Sequence, residues 1–196
     1  FDGIDFAVKG EGEHTLLELM ERFSDGAGYS EVKGLLYKDA EGVHVNPDRP
    51  AEPDLDVFPF PARDLLPNHL YKTFYSKEMT VTSIITSRGC PHNCYFCVET
   101  YMDYRRRSTD SVIEEIRECR EKFGIEEFSF YDSTFIVNKK WVHEFCDKLV
   151  RSGMKIPWNC RTRVDSIDNE TVSRMAAAGC NRISIGVESG TERVST

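Results

Sequence analysis

From Met79 onward short apolar runs alternate with amphipathic stripes, and this alternation leaves few folds open. Residues 81–86, 128–131, 156–161 and 182–187 read as strands, and residues 111–123, 139–150 and 168–178 read as helices between them. The first helical stretch carries Val112, Ile113, Ile116, Cys119 and Phe123 on one stripe; the second carries Trp141, Val142, Phe145, Cys146, Leu149 and Val150. Ser108 or Ser111 and Asn138 stand where N-caps belong, and Gly179 follows the third helix as a stop. A β-α-β-α-β-α-β order predicts an α/β fold with parallel strands and right-handed crossovers.

In barrels built this way, chemistry sits on the loops that leave the C-terminal ends of the strands. Those loops would be the segments after residues 86, 131, 161 and 186, and all four carry polar or metal-binding groups. The first is the most specific: Ser87-Arg88-Gly89-Cys90-Pro91-His92-Asn93-Cys94-Tyr95-Phe96-Cys97 places three thiols in eight residues. Three thiols cannot all pair as disulfides, and they fall one short of a closed tetrahedral zinc site. They suit an iron–sulfur cube held at three corners, with one iron open for chemistry. Cys119, Cys146, Cys160 and Cys180 are scattered on apolar stripes or beside strands and read as structural.

Composition bounds the alternatives. With 40% hydrophobic and 30% charged residues the chain is globular rather than disordered, and a formal charge of −8 disfavours general nucleic-acid binding. The basic triplet Arg105-Arg106-Arg107 reads as a solvated loop ahead of a helix. No apolar run approaches a membrane span, and no secretory signal is visible, so a reducing, cytoplasmic setting is expected. The chain starts at Phe1 and stops at Thr196 after an expected strand, which suggests a piece of a longer protein.

The segment upstream is of another kind. Residues 4–8 read as a strand, Gly10-Glu11-Gly12-Glu13 as a tight loop, and residues 14–23 as a helix with Leu16, Leu17, Leu19, Met20 and Phe23 near one face. Residues 34–37 and 43–45 predict a small hairpin. Pro47, Pro50, Pro53, Pro59, Pro61 and Pro67 then crowd into 21 residues, an extended linker expected to dock through Leu55, Val57, Phe58, Phe60, Leu65 and Leu66.

Several segments together resemble the radical S-adenosylmethionine (radical SAM) enzymes, in their cobalamin-binding branch. The carriers are Cys90-x3-Cys94-x2-Cys97 with Phe96, Gly10-Glu11-Gly12-Glu13, Phe58-Pro59-Phe60-Pro61-Ala62-Arg63, Asp132-Ser133-Thr134-Phe135, Cys160-Arg161-Thr162-Arg163, Ala178-Gly179-Cys180 and Gly186-Val187-Glu188-Ser189-Gly190. The resemblance implies a partial (βα)6 TIM-like barrel, truncated at its C-terminus and preceded by the tail of a doubly wound cobalamin-binding domain. Residues 1–24 would be that tail, 25–78 the Pro-rich linker with its hairpin, and 79–196 an incomplete radical SAM core.

The same resemblance implies roles. Cys90, Cys94 and Cys97 would ligate a [4Fe-4S] cluster whose open iron takes S-adenosylmethionine, releasing a 5′-deoxyadenosyl radical for cobalamin-linked methyl transfer or cyclisation. Phe96 would lie against adenine, or else be a plain core aromatic. Asp132 would meet the cofactor's ammonium, Arg161 or Arg163 its carboxylate, and Glu188 and Ser189 its ribose or methionine end. Partners would be a small-molecule substrate and an electron donor such as flavodoxin or ferredoxin. Two departures stand out: Ser133 follows Asp132 where the family often has a second acid, and no Asp-x-His-x-x-Gly segment is present to face cobalt. The alternatives are a methylthiotransferase-type radical SAM enzyme and a non-catalytic zinc or iron–sulfur binding module.

Overall fold

Alternation of Phe128 and Phe130 with Glu127 and Ser129, and of Trp158 and Cys160 with Asn159 and Arg161, gives a sheet with one helix-covered face and one polar face. A computed structural model describes residues 3–74 and 79–191, with the backbone alone at Thr100 and Tyr101. It divides into two compact units, Phe1–Pro53 and Asp54–Thr196.

In the first unit β1 (Phe6–Val8), β2 (Leu35–Asp39) and β3 (Gly42–Val45) form an antiparallel sheet in the order β1-β2-β3, beside helix α1 (Glu13–Asp25). The expected hairpin is present, with Asp39 opposite Gly42. The core is small, namely Leu19, Val32 and Leu35 with Phe6, Tyr29 and Tyr37 against it. Of the apolar face expected on α1, Leu19 is buried, while Leu16, Leu17, Met20 and Phe23 are exposed.

In the second unit β4 (Val81–Ile84), β7 (Glu127–Phe130), β8 (Trp158–Thr162) and β9 (Cys180–Ile185) form a parallel sheet in the order β4-β7-β8-β9. Helices α2 (Thr109–Phe123), α3 (Lys139–Arg151) and α4 (Asn169–Ala177) connect them. Ser108, Asn138 and Asp168 cap these helices through side-chain bonds to Ser111, Trp141 and Thr171. The predicted stripes face the sheet: Val112, Ile116, Val142, Phe145 and Leu149 are buried against Phe128, Phe130 and Trp158. Each such side chain contributes about 1.5–3 kcal/mol on burial. Edge-on ring contacts at 5.3–5.7 Å join Phe130, Phe145 and Trp158 and fix how the layers interlock.

The first strand is shorter than expected. It ends at Ile84, and Ser87–Arg88 (β5) instead pairs antiparallel with Arg105–Arg106 (β6). The basic triplet is therefore no solvated loop. Arg106 and Arg107 have side chains only 7% and 11% exposed, because the ribbon turns them inward and aromatic rings and acids receive them.

The proline-rich stretch straddles the unit boundary, and residues 54–74 run as a docked strap through three short 3-10 turns. Its anchor is Arg63. This buried guanidinium meets Glu115 at 2.6 Å and donates to Ser83 O at 3.0 Å, while Glu115 also pairs with Arg107. Phe58 and Phe60 lie against the Arg88 and Arg107 guanidinium groups at 4.8 and 5.4 Å.

Candidate active site

The cysteine loop leaves the sheet at the C-terminal end of β4. Gly89 permits its turn: φ is +72°, and a Cβ there would sit 2.5 Å from the carbonyl oxygens of Met102 and Asp103. Only glycine fits so close an approach at that dihedral. The loop closes with Cys97 N–H donating to Cys94 O at 3.0 Å.

Cys90, Cys94 and Cys97 are not disulfide-bonded, and each is partly exposed. Two of them touch loops from the neighbouring strands. Cys90 Sγ lies 3.7 Å from Thr134 Oγ1, on the loop after β7, and Arg163 Nη1 lies 3.7 Å from Cys94 Sγ, on the turn after β8. Thus the ends of the first three parallel strands converge on the thiols. Among the described residues no three His, Cys, Asp or Glu side chains close around a single point as one metal ion needs. A four-iron cube makes a different demand, since each thiol takes its own iron. The donor set, three soft sulfur ligands on one short loop backed by hydroxyl and guanidinium groups, fits that cube.

Asp132 is 1% exposed, and its oxygens face the root of the loop. Oδ1 accepts from Thr86 N and Ser87 N at 2.7 Å each, and Oδ2 accepts from Thr86 Oγ1 at 2.6 Å. Burial pushes this carboxyl upward, while Arg106 at 3.9 Å and the three donors hold it down. Burial is the largest influence, so the carboxyl sits above its ordinary value, with the three donors and the guanidinium opposing the rise.

Phe96 is 73% exposed and Tyr95 fully so. The plain core reading of Phe96 is thereby corrected, because the loop carries its ring away from the helix-covered face. Arg161 points to the polar face, its guanidinium 4.6 Å from the Tyr131 ring centroid. Arg163 is paired with Asp165 at 2.7 Å. Glu188 and Ser189 sit on the exposed loop after β9, and Glu188 adopts φ +60°, which side chains seldom tolerate. Below this rim the polar face continues, with Asn159 Nδ2 donating to Ser129 Oγ at 2.9 Å and Glu127 Oε1 at 3.2 Å.

Sequence reasoning missed Thr86, Thr134 and Arg106. Thr134 could have been found from its place at a strand end beside Asp132, but nothing local distinguishes Thr86 or Arg106 from their neighbours. Cys119, Cys146 and Cys160 are buried in the core, as expected of structural thiols. His143 Nε2 lies 3.0 Å from Thr171 Oγ1.

The profile of the Radical SAM superfamily matches residues 84–196. An uncharacterized methyltransferase of Pyrococcus horikoshii is 34% identical over 194 residues, which is 97% of this chain and 42% of that protein. The radical S-adenosylmethionine methyltransferase TsrM from Kitasatospora setae, solved with cobalamin and a [4Fe-4S] cluster, superposes with TM-score 0.70 at 25% identity, over 94% of this chain and 38% of that one. The cobalamin-dependent S-adenosylmethionine radical enzyme OxsB, solved with aqua-cobalamin and S-adenosylmethionine, gives TM-score 0.73 at 25% identity, over 96% and 28%. The chain spans about two-fifths of the length of the curated relative it matches here.

Proposed function

The chain belongs to the radical SAM superfamily, and from that premise we propose that Cys90, Cys94 and Cys97 hold a [4Fe-4S] cluster at which S-adenosylmethionine is reductively cleaved, in a parent enzyme that transfers methyl groups. The observation that carries this reading is the placement of the Cys90 and Cys94 sulfurs against Thr134 and Arg163, where three strand ends meet. When bound, the cluster and S-adenosylmethionine together supply a 5′-deoxyadenosyl radical, and this is the chemistry the residues must orient and shield.

The chain's own groups divide that work. Asp132 braces Thr86 and Ser87 and so sets where the loop leaves the sheet. The expected contact between Asp132 and an ammonium group would have to compete with those donors. Arg163 lends positive charge beside the Cys94 sulfur. Arg161, already over Tyr131 on the polar face, is positioned for a carboxylate, which a guanidinium fork suits. Phe96 presents an exposed ring for adenine stacking, and Glu188 and Ser189 offer hydrogen bonds to ribose hydroxyls. The polar sheet face at Ser129, Asn159 and Arg161 would be the inner wall of the partial barrel.

Methyl transfer is favoured by the Pyrococcus and Kitasatospora relatives, and cobalamin by the two solved structures. The division into a residue 1–24 tail, a 25–78 linker and a 79–196 core belongs to the same proposal. The test is anaerobic reconstitution with iron and sulfide, then incubation with dithionite and S-adenosylmethionine. About four irons per chain and 5′-deoxyadenosine above a Cys97→Ala control are expected. One zinc per chain with no visible chromophore, or equal product from the control, would sink the reading.

A further inference from the structure

At the root of the cysteine loop buried polar atoms cluster: Ser87 Oγ and Tyr104 Oη, which neighbour each other, and Arg106 Nε and Nη1, which have no hydrogen-bond partner among the described residues. Native interiors seldom leave such groups unpaired, so a cluster of them calls for an explanation. Arg106 is its centre. Among the described residues only Nη2 is paired, donating to Phe135 O at 2.7 Å. The guanidinium carbon lies 4.3 Å from the Trp141 ring centroid and 5.6 Å from those of Tyr104 and Phe135. Its nearest acid is Asp132, at 3.9 Å.

Packing alone does not account for this side chain. An apolar residue would fill the space against Trp141 and Phe135 without stripping water from a permanent charge. The placement of that charge is specific. Ser87 is the register partner of Arg106 and lies three residues before Cys90. Phe135, which accepts from Arg106, follows Thr134, which touches the Cys90 sulfur. Asp132, facing Arg106, holds Thr86 and Ser87. Tyr104 is within electrostatic reach of both Arg106 and Cys90. The cation therefore stands behind both supports of the first thiol, in surroundings that screen it weakly.

We propose that Arg106 is a positioning residue that raises the reduction potential of the cluster held by Cys90, Cys94 and Cys97, with Asp132 acting in the opposite sense. Reduction by an external one-electron donor adds negative charge to the cluster and breaks no bond. A nearby buried cation lowers the free energy of that step, and a nearby buried anion raises it. The inference rests on the cluster assignment above, and its test separates the two.

The test is a potentiometric titration of the reconstituted chain, followed by the electron paramagnetic resonance signal of the reduced cluster. Arg106→Met should lower the midpoint, cutting the reduced-to-oxidised ratio about tenfold at a fixed potential, or about 59 mV for one electron. Arg106→Lys, which keeps the charge, should stay near wild type. Asp132→Asn, which keeps the shape and removes the anion, should move the midpoint up. Clusters that load normally but show no shift, or shifts of the same sign in Arg106→Met and Asp132→Asn, overturn the proposal. Should Arg106→Met fail to fold, an unshifted Asp132→Asn overturns it alone. A wild-type chain that holds no cluster overturns the assignment beneath it.

Discussion

Six of the seven cysteines divide between two regions whose contrast explains both. At the rim, Cys90, Cys94 and Cys97 are partly exposed on a loop, next to a hydroxyl and a guanidinium. In the helix-covered layer, Cys119, Cys146 and Cys160 are walled in by aromatic and branched side chains. Burial pushes the Cys119 thiol up to about 11 and the Cys146 thiol up to about 12. Cys160 is pushed up as well, chiefly by its hydrogen bond with Cys180 and then by burial. A thiolate is the form that binds metal, and burial withholds it at Cys119 and Cys146. Identical side chains thus become ligands or packing atoms according to the water and charge around them.

The largest effect that could break this contrast is at the rim. Cys94→Ala should abolish cluster loading and reduce S-adenosylmethionine cleavage by at least about 100-fold, read as iron content and 5′-deoxyadenosine. Cys146→Ala should leave iron content unchanged. Loss of iron from the interior variant would erase the distinction.

Next in size is the strap's anchor. Arg63→Met leaves Glu115 buried with Arg107 as its remaining partner and should cost about 3 kcal/mol in urea unfolding. A change under about 0.5 kcal/mol would mean that the strap docks without the pair.

Gly89→Ala should cost about 1–3 kcal/mol, because a side chain at φ +72° would also meet the Met102 and Asp103 carbonyls. Cluster loading should fall while the far-ultraviolet spectrum of the helix-covered layer persists. Full loading in that variant would show that the loop's turn can relax.

The smallest effect concerns pH. The interior thiols have folded pKa values of about 11 and 12 against an ordinary 9.0, so between those values the unfolded chain has released protons that the folded chain retains. Their contribution is complete below pH 9 and is lost as pH rises through about 11 to 12. Melting temperature should therefore fall across that range, and less steeply in Cys146→Ala. Alkylation of the native apo chain near pH 8 should label the rim thiols and spare Cys119 and Cys146, as mass spectrometry would show; equal labelling would remove the basis for treating the two regions differently.

Much of the second unit was legible beforehand. Apolar stripes at Val112, Ile116, Val142 and Phe145, caps at Ser108 and Asn138, and alternating strands are written within a few residues of one another. Periodicity and capping act at that range, so the sequence displays them directly. The cysteine spacing is local too, and the thiols do stand at a strand end. The strap's destination was less visible, since an anchor such as Arg63 looks like any surface arginine until Glu115, 52 positions away, is beside it.

By itself the sequence determined the order of strands and helices, the polar and apolar faces of the second unit, and the thiol-bearing loop at the first strand end. Only the tertiary structure decided that Arg106 turns inward, that Asp132 braces Thr86 from 46 positions away, and that most of the apolar face of α1 stays exposed. The reason is range: side-chain spacing reports which groups share a face, whereas burial and pairing of charge depend on which distant segments the packed sheet brings together.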